Sequence, residues 1–342
     1  MSKSQPNNPT SGTDAATACD ATSQSCPDNR SITGRFAITE VKCGSNVELQ
    51  AEATNIPEGT NTTFTLKQLP AHSNIQILVA PLSGLQVRGL NWISKKPSDQ
   101  WPEWEVDFDV SADGTSAHSE NQLKFHRYPN YAREAKTIAR TNTSGDHLRD
   151  GKFDIEYLGD GVKVIIKIKL VNLQGTKPAD GDPMPATGDP VSGEDKANMR
   201  QDIESKLTEK LVLHRHECQR GGLCDCALDR KCCKFKVRIQ VDFVESGEHH
   251  EVNLFQGSGR ADSVNWTRIK TRDNSWAHET GHLLGWFDEY SGTTNPGPTP
   301  RWQVPREGVI MNTGLEVPAE YYWDFRDWFA AKTGETWDEV VP

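Results

Sequence analysis

The chain has 342 residues, more than one average domain holds, so two domains are expected. A net charge of -10 argues against nucleic acid or an anionic membrane as the main partner. Ten Trp and eleven Phe within a 35% hydrophobic composition exclude wholesale disorder, and no apolar run is long enough to span a membrane.

Residues 1–34 are rich in Ser, Thr, Asn and Asp without periodicity and read as a flexible leader, in which Cys19 and Cys26 can pair locally. This stretch lacks the basic start and apolar core of a secretory signal peptide. From Arg35 the texture changes. Segments 36–43, 47–53, 74–80, 104–110 and 122–126 alternate apolar and polar residues, as half-buried strands do. Closely spaced strands with Gly, Pro and Asn turns resemble an immunoglobulin-like antiparallel sandwich, expected over 35–148. The resemblance is one of architecture, because the Cys…Trp…Cys spacing of a true immunoglobulin domain is missing.

The second half reads differently. Residues 162–171 predict a strong strand, and a Gly/Pro/Asp-rich connection (174–193) follows. Helical spacing of Met199, Ile203, Leu207 and Leu211 predicts a helix over 194–214. Strands are expected at 234–244 and, as a short edge strand, at 250–255, with His249 and His250 facing solvent. Helices are expected at 275–284, stopped by Gly285, and at 319–332. This order makes an α+β domain over 149–342.

The chemistry concentrates in His278-Glu279-Thr280-Gly281-His282-Leu283-Leu284-Gly285-Trp286-Phe287-Asp288. Histidines four apart on a helix share one face, at the spacing one zinc ion needs. Glu279 projects beside the metal, where a carboxylate can take a proton from water and return it to a leaving amine. Catalytic zinc normally has three protein ligands and one open position. A glycine at 285 can adopt positive φ and turn the chain, so that Asp288 swings back as the third ligand. Glu289 and Glu320 are the alternatives.

The pattern H-E-x-x-H-x-x-G-x-x-D resembles the metzincin clan of zinc metallopeptidases, with the Asp found in its snapalysin-like members. The resemblance implies a methionine turn below the metal, for which Met311 in the run Gly308-Val-Ile-Met-Asn-Thr-Gly314 is the candidate. It also implies a tyrosine that steadies the oxyanion. Tyr321 and Tyr322 are candidates, with Tyr322 preferred and Tyr290 a poorer one, and both also read as core aromatics. Metzincin substrates bind extended beside an edge strand, which puts 252–255 at the cleft.

Five cysteines (Cys218, Cys224, Cys226, Cys232, Cys233) crowd together near His214 and His216. A structural zinc site is one reading. Disulfides are favoured if the protein works in an oxidising compartment, since the spacing matches no common C-x-x-C pair, and the odd cysteine can reach Cys43 or remain free.

The expected activity is zinc-dependent hydrolysis of a peptide bond in a polypeptide or a peptidoglycan stem. A sandwich opening with Val41-Lys-Cys-Gly-Ser-Asn-Val-Glu-Leu ahead of this peptidase motif is similar to toxins of bacterial type VI secretion. That resemblance implies export without a signal peptide, action in a target periplasm or outside the cell, a carrier in the secretion apparatus and an immunity protein. The alternatives are a peptidoglycan amidase and a surface adhesion protein with a non-catalytic metal site.

Overall fold

Two sheets hold the described strands up to Phe125. The structure, a computed structural model, describes residues 29–69, 73–94, 105–139, 150–159, 161–179, 181–219, 233–270, 272–289 and 306–340. One sheet has the order β1 (Ser31–Phe36), β3 (Asn46–Thr54), β6 (Gln86–Ile93). The other runs β2 (Glu40–Val41), β9 (Leu123–Phe125), β7 (Glu105–Ala112), β4 (Asn61–Gln68), β5 (Ser73–Pro81), with β8 (Thr115–His118) also on β7.

Burial alternates residue by residue in β1, β3 and β4, the period-two signature of strands with one packed face. Ile32, Phe36, Val47 and Leu49 from one sheet share a core with Phe64, Leu66, Phe108 and Val110 from the other. Phe36 meets Phe108 edge-on, with ring centroids 4.9 Å apart. A Cβ on Gly34 would stand 2.7 Å from the Phe108 ring, so a side chain there would push the sheets apart. The segment read as one strand at 36–43 is divided, because the chain leaves one sheet after Phe36 and joins the other only at Glu40–Val41.

The second sheet system is mixed. Its order is β10 (Tyr131–Ile138), β11 (Gly151–Tyr157), β12 (Val162–Leu173), β14 (Lys234–Phe243), β13 (Val212–Arg215), β17 (Trp337–Val340). The long β12 is shared, pairing in parallel with β14 over Val162–Ile168 and with β15 (His250–Ser258) over Ile168–Leu173. β16 (Asn265–Ile269) continues from β15. Helices α1 (Gly193–Leu207) and α2 (Ser275–Leu283), then a 3-10 turn (Ala319–Tyr322) leading into α3 (Trp323–Thr333), complete the described elements. α1 buries Met199, Ile203 and Leu207, the periodic residues of its sequence, in the core that also holds Val164, Ile239 and Leu283.

Four expectations change. β10 pairs with β11, so the second sheet begins near residue 131 and the boundary expected at 148/149 falls inside it. The helix expected to reach 214 ends at Leu207, and Val212–Arg215 is a strand clamped between β14 and β17. The strand expected at the edge, 252–255, lies between β12 and β16, which leaves β16 outermost among the described strands there. His250 is buried, and His249 is half-buried against Asp154 at 3.2 Å. Among the described residues no helix is long and apolar enough to cross a membrane.

Candidate metal centre

The helix that carries the motif is fastened at both ends. Asn274 precedes α2 and is buried, and its Nδ2 donates to the carbonyl of Gly314 at 3.0 Å. This ties the start of α2 to the 308–314 turn. At the other end Gly285 has φ +90°, which an L side chain adopts only under strain. The Trp286 amide donates to the Gly281 carbonyl at 2.9 Å and the Gly285 amide to the His282 carbonyl at 3.0 Å. This pair of bonds is a Schellman closure, and it satisfies carbonyls that the helix end leaves open.

Both ends then orient a histidine. His278 Nδ1 bonds the Ile310 carbonyl at 2.9 Å, and His282 Nδ1 bonds the Trp286 carbonyl at 2.9 Å. A carbonyl only accepts, so each Nδ1 carries a proton and donates, which turns each Nε2 towards Asp288. Both Nε2 atoms lie 3.2 Å from Asp288 Oδ1. Three acceptor atoms this close repel unless a cation or a proton stands among them. Burial pulls the His282 imidazole down, but the adjacent Asp288 carboxylate outweighs it and raises the group above its ordinary value.

The donor geometry fits zinc. Ligands held about 2.0–2.1 Å from a tetrahedral ion stand roughly 3.3–3.4 Å apart, close to the spacing found here. The Nδ1–carbonyl bonds are the outer contacts that fix ring orientation in such sites. Glu279 also brings a carboxylate oxygen within 4.8 Å of both histidines. Asp288 lies nearer, its Oδ1 3.2 Å from both Nε2 atoms, so two carboxylates stand beside the histidine pair. Burial pushes the Glu279 carboxyl above the usual range, against the pull of the two histidines. Its Oε2 is buried with no hydrogen-bond partner among the described residues.

Met311 is fully buried beneath this helix. The contact depends on Gly281, which sequence reasoning missed. A Cβ there would sit on Met311 Sδ and 2.9 Å from the Trp286 ring. Gly151 of β11 likewise lets the turn after α2 pack closely, since a Cβ on it would lie 2.7 Å from the Leu284 carbonyl.

The two alternative third ligands are engaged elsewhere. Glu289 is fully buried, gripped by Arg306 through both oxygens and by the Tyr321 hydroxyl at 2.7 Å. Glu320 meets the same guanidinium at 3.4 Å. The structure does not bring the tyrosines to the histidines as oxyanion donors. The Tyr321 hydroxyl donates to Glu289, and Tyr322, fully buried, donates to the Leu207 carbonyl at the end of α1. Tyr290 lies outside the described residues.

A second cluster gathers His214, Cys218 and Cys233, all buried, with donor atoms within 4.8 Å of one another. Two of the five expected disulfide cysteines, Cys218 and Cys233, carry thiols here, whereas Cys43 is disulfide-bonded. Cys224, Cys226 and Cys232 lie outside the described residues. Comparison with known proteins finds no family model and no curated protein that matches the chain.

Proposed function

We propose that the chain is a zinc-dependent peptide-bond hydrolase whose metal is held by His278, His282 and Asp288. The observation that carries this reading is the convergence of two correctly turned Nε2 atoms on Asp288 Oδ1 at 3.2 Å, beside buried Glu279, whose Oε2 has no hydrogen-bond partner among the described residues. Zinc in that position supplies Lewis acidity, activating water near neutral pH and polarising a carbonyl.

The chain's own groups do the rest. Glu279 accepts a proton from water as the attack begins and hands it to the departing amine, the two tasks of one carboxylate in general base and acid catalysis. The Ile310 and Trp286 carbonyls keep the imidazoles from rotating. Tyr321 and Tyr322 are committed to other bonds, so stabilising the oxyanion would fall to a metal held by His278, His282 and Asp288.

The motif and the methionine under the helix favour a metzincin-like domain over roughly 131–342. The preceding sandwich suits a docking or delivery module of immunoglobulin-like type. The resemblance to type VI secretion toxins extends the proposal to action in a target cell's periplasm, with a carrier and an immunity protein as partners. Incubation with casein and with purified sacculi, followed by identification of the released fragments, tests the reaction. New amino termini in casein support a peptidase, and release of whole stem peptides from glycan supports the amidase alternative. No cleavage of either by zinc-loaded protein contradicts the proposal.

A further inference from the structure

We propose that His214, Cys218 and Cys233 bind a second, structural zinc-class ion at the junction between the sandwich and the mixed sheet. The hairpin of β13 and β14 brings the three together. Its antiparallel ladder runs through His214↔Lys234, and the Arg215 amide donates to the Cys233 carbonyl at 2.9 Å, so residues 214 and 233 stand at its mouth. The Cys218 amide donates to the Arg215 carbonyl at 3.1 Å, a turn that brings Cys218 back to the same place. The side chains are almost sealed from solvent, at 6%, 4% and 0% exposure.

Donors of a tetrahedral site with Zn–S about 2.3 Å and Zn–N about 2.0–2.1 Å stand roughly 3.4–3.8 Å apart. The observed set, within 4.8 Å, needs only a small contraction around an ion. The chemistry points the same way. Two sulfurs and an imidazole are soft and borderline donors, which select zinc over calcium or magnesium. Two buried thiolates would be costly alone, and a dication neutralises both.

The location gives the ion a task. Cys218 and Cys233 belong to the sandwich core although they lie far along the chain from it. Gly44, at φ +82°, passes so close over Cys218 that a Cβ would collide with its sulfur, and the Gln219 amide donates to the Gly44 carbonyl at 2.8 Å. Arg215 donates to the Cys43 carbonyl at 2.5 Å and to Ser45 Oγ at 3.1 Å. An ion at this point staples the hairpin of one region against the first turn of the other.

The test uses the full chain. Protein purified from zinc-replete medium is expected to hold about two zinc ions per molecule, falling to about one in the His278→Ala/His282→Ala double variant. Exchange of that double variant into cobalt(II) is expected to give the near-ultraviolet absorption of thiolate-to-cobalt charge transfer, which a site of imidazole and carboxylate ligands does not produce. Cys218→Ser/Cys233→Ser abolishes the band if it folds, and the double histidine variant carries the test alone if it does not. A metal-free double histidine variant with no band overturns the proposal, whether peptide mapping then finds Cys218 and Cys233 cross-linked or as free thiols. Because the histidine variant lacks the 278/282 centre altogether, these outcomes do not depend on whether that centre hydrolyses anything.

Discussion

Two histidine-containing clusters in this chain are built on opposite plans. His278, His282 and Asp288 offer nitrogen and oxygen donors, sit partly exposed on a helix and the loop after it, and have a second carboxylate, Glu279, at their side. His214, Cys218 and Cys233 offer nitrogen and sulfur donors, sit sealed at the mouth of a hairpin, and have backbone packed over them. An open site with a spare base suits catalysis, and a closed site without one suits structure. The difference lies in access and in the extra carboxylate, more than in affinity for metal.

The contrast is broken most severely at the first histidine. His278→Ala is expected to remove the ion from the first cluster and all measurable peptide hydrolysis, while circular dichroism stays that of the parent. Retained hydrolysis at full rate would mean that the first cluster is not the catalytic one.

Adjacent carboxylates give the next comparison. Asp288→Ala is expected to lower zinc affinity by orders of magnitude with little loss of fold. Glu289→Ala is expected to leave zinc in place and strip Arg306 and Tyr321 of their partner, costing about 3 kcal/mol in denaturant unfolding. Equal zinc loss in both variants would erase the distinction between them.

Gly281→Ala tests the floor of the first site. Its new methyl must displace Met311, and overpacking of this kind costs about 1–3 kcal/mol. A drop in melting temperature with zinc still bound is the expected result, and Met311→Ala in the same chain should relieve part of it.

Acid titration gives the smallest effect, remote from both clusters. Glu134 of β10 is held down to about 2 by its hydrogen bond to Lys332, helped by Trp328 and Lys136. A depressed carboxylate stabilises the fold fully above its unfolded value of 4.5, and that contribution is lost as the pH falls from there towards 2. Glu134→Gln should therefore flatten melting temperature against pH in this window, with both clusters unaffected at neutral pH. A slope equal to the parent's would show that the contact contributes nothing.

What is legible in the sequence divides along similar lines. α2, its two histidines and its glycine stop emerge from local spacing, and so do β12 and β14 from alternation. β6 escapes a sequence reading because Arg88, Gly89 and Asn91 break its alternation, and its burial is set by β3 alongside. Val212–Arg215 reads as the end of a helix because Leu211 fits the helical period, while the β14 and β17 ladders decide otherwise. The choice of Asp288 over Glu289 is open in sequence, since what removes Glu289 is Arg306 on a later segment. Tyr322 misleads for the same reason, its hydroxyl being claimed by the end of α1. Local chemistry can be read directly, and competition between distant partners cannot.

The central claim is that Glu279 is the working acid and base of a zinc centre it does not ligate. Measuring zinc content and casein hydrolysis together in Glu279→Gln tests it most directly. Zinc bound as in the parent with hydrolysis reduced by about 10²–10⁴-fold or more is the expected result. Unchanged hydrolysis, or loss of the zinc itself, would contradict the account.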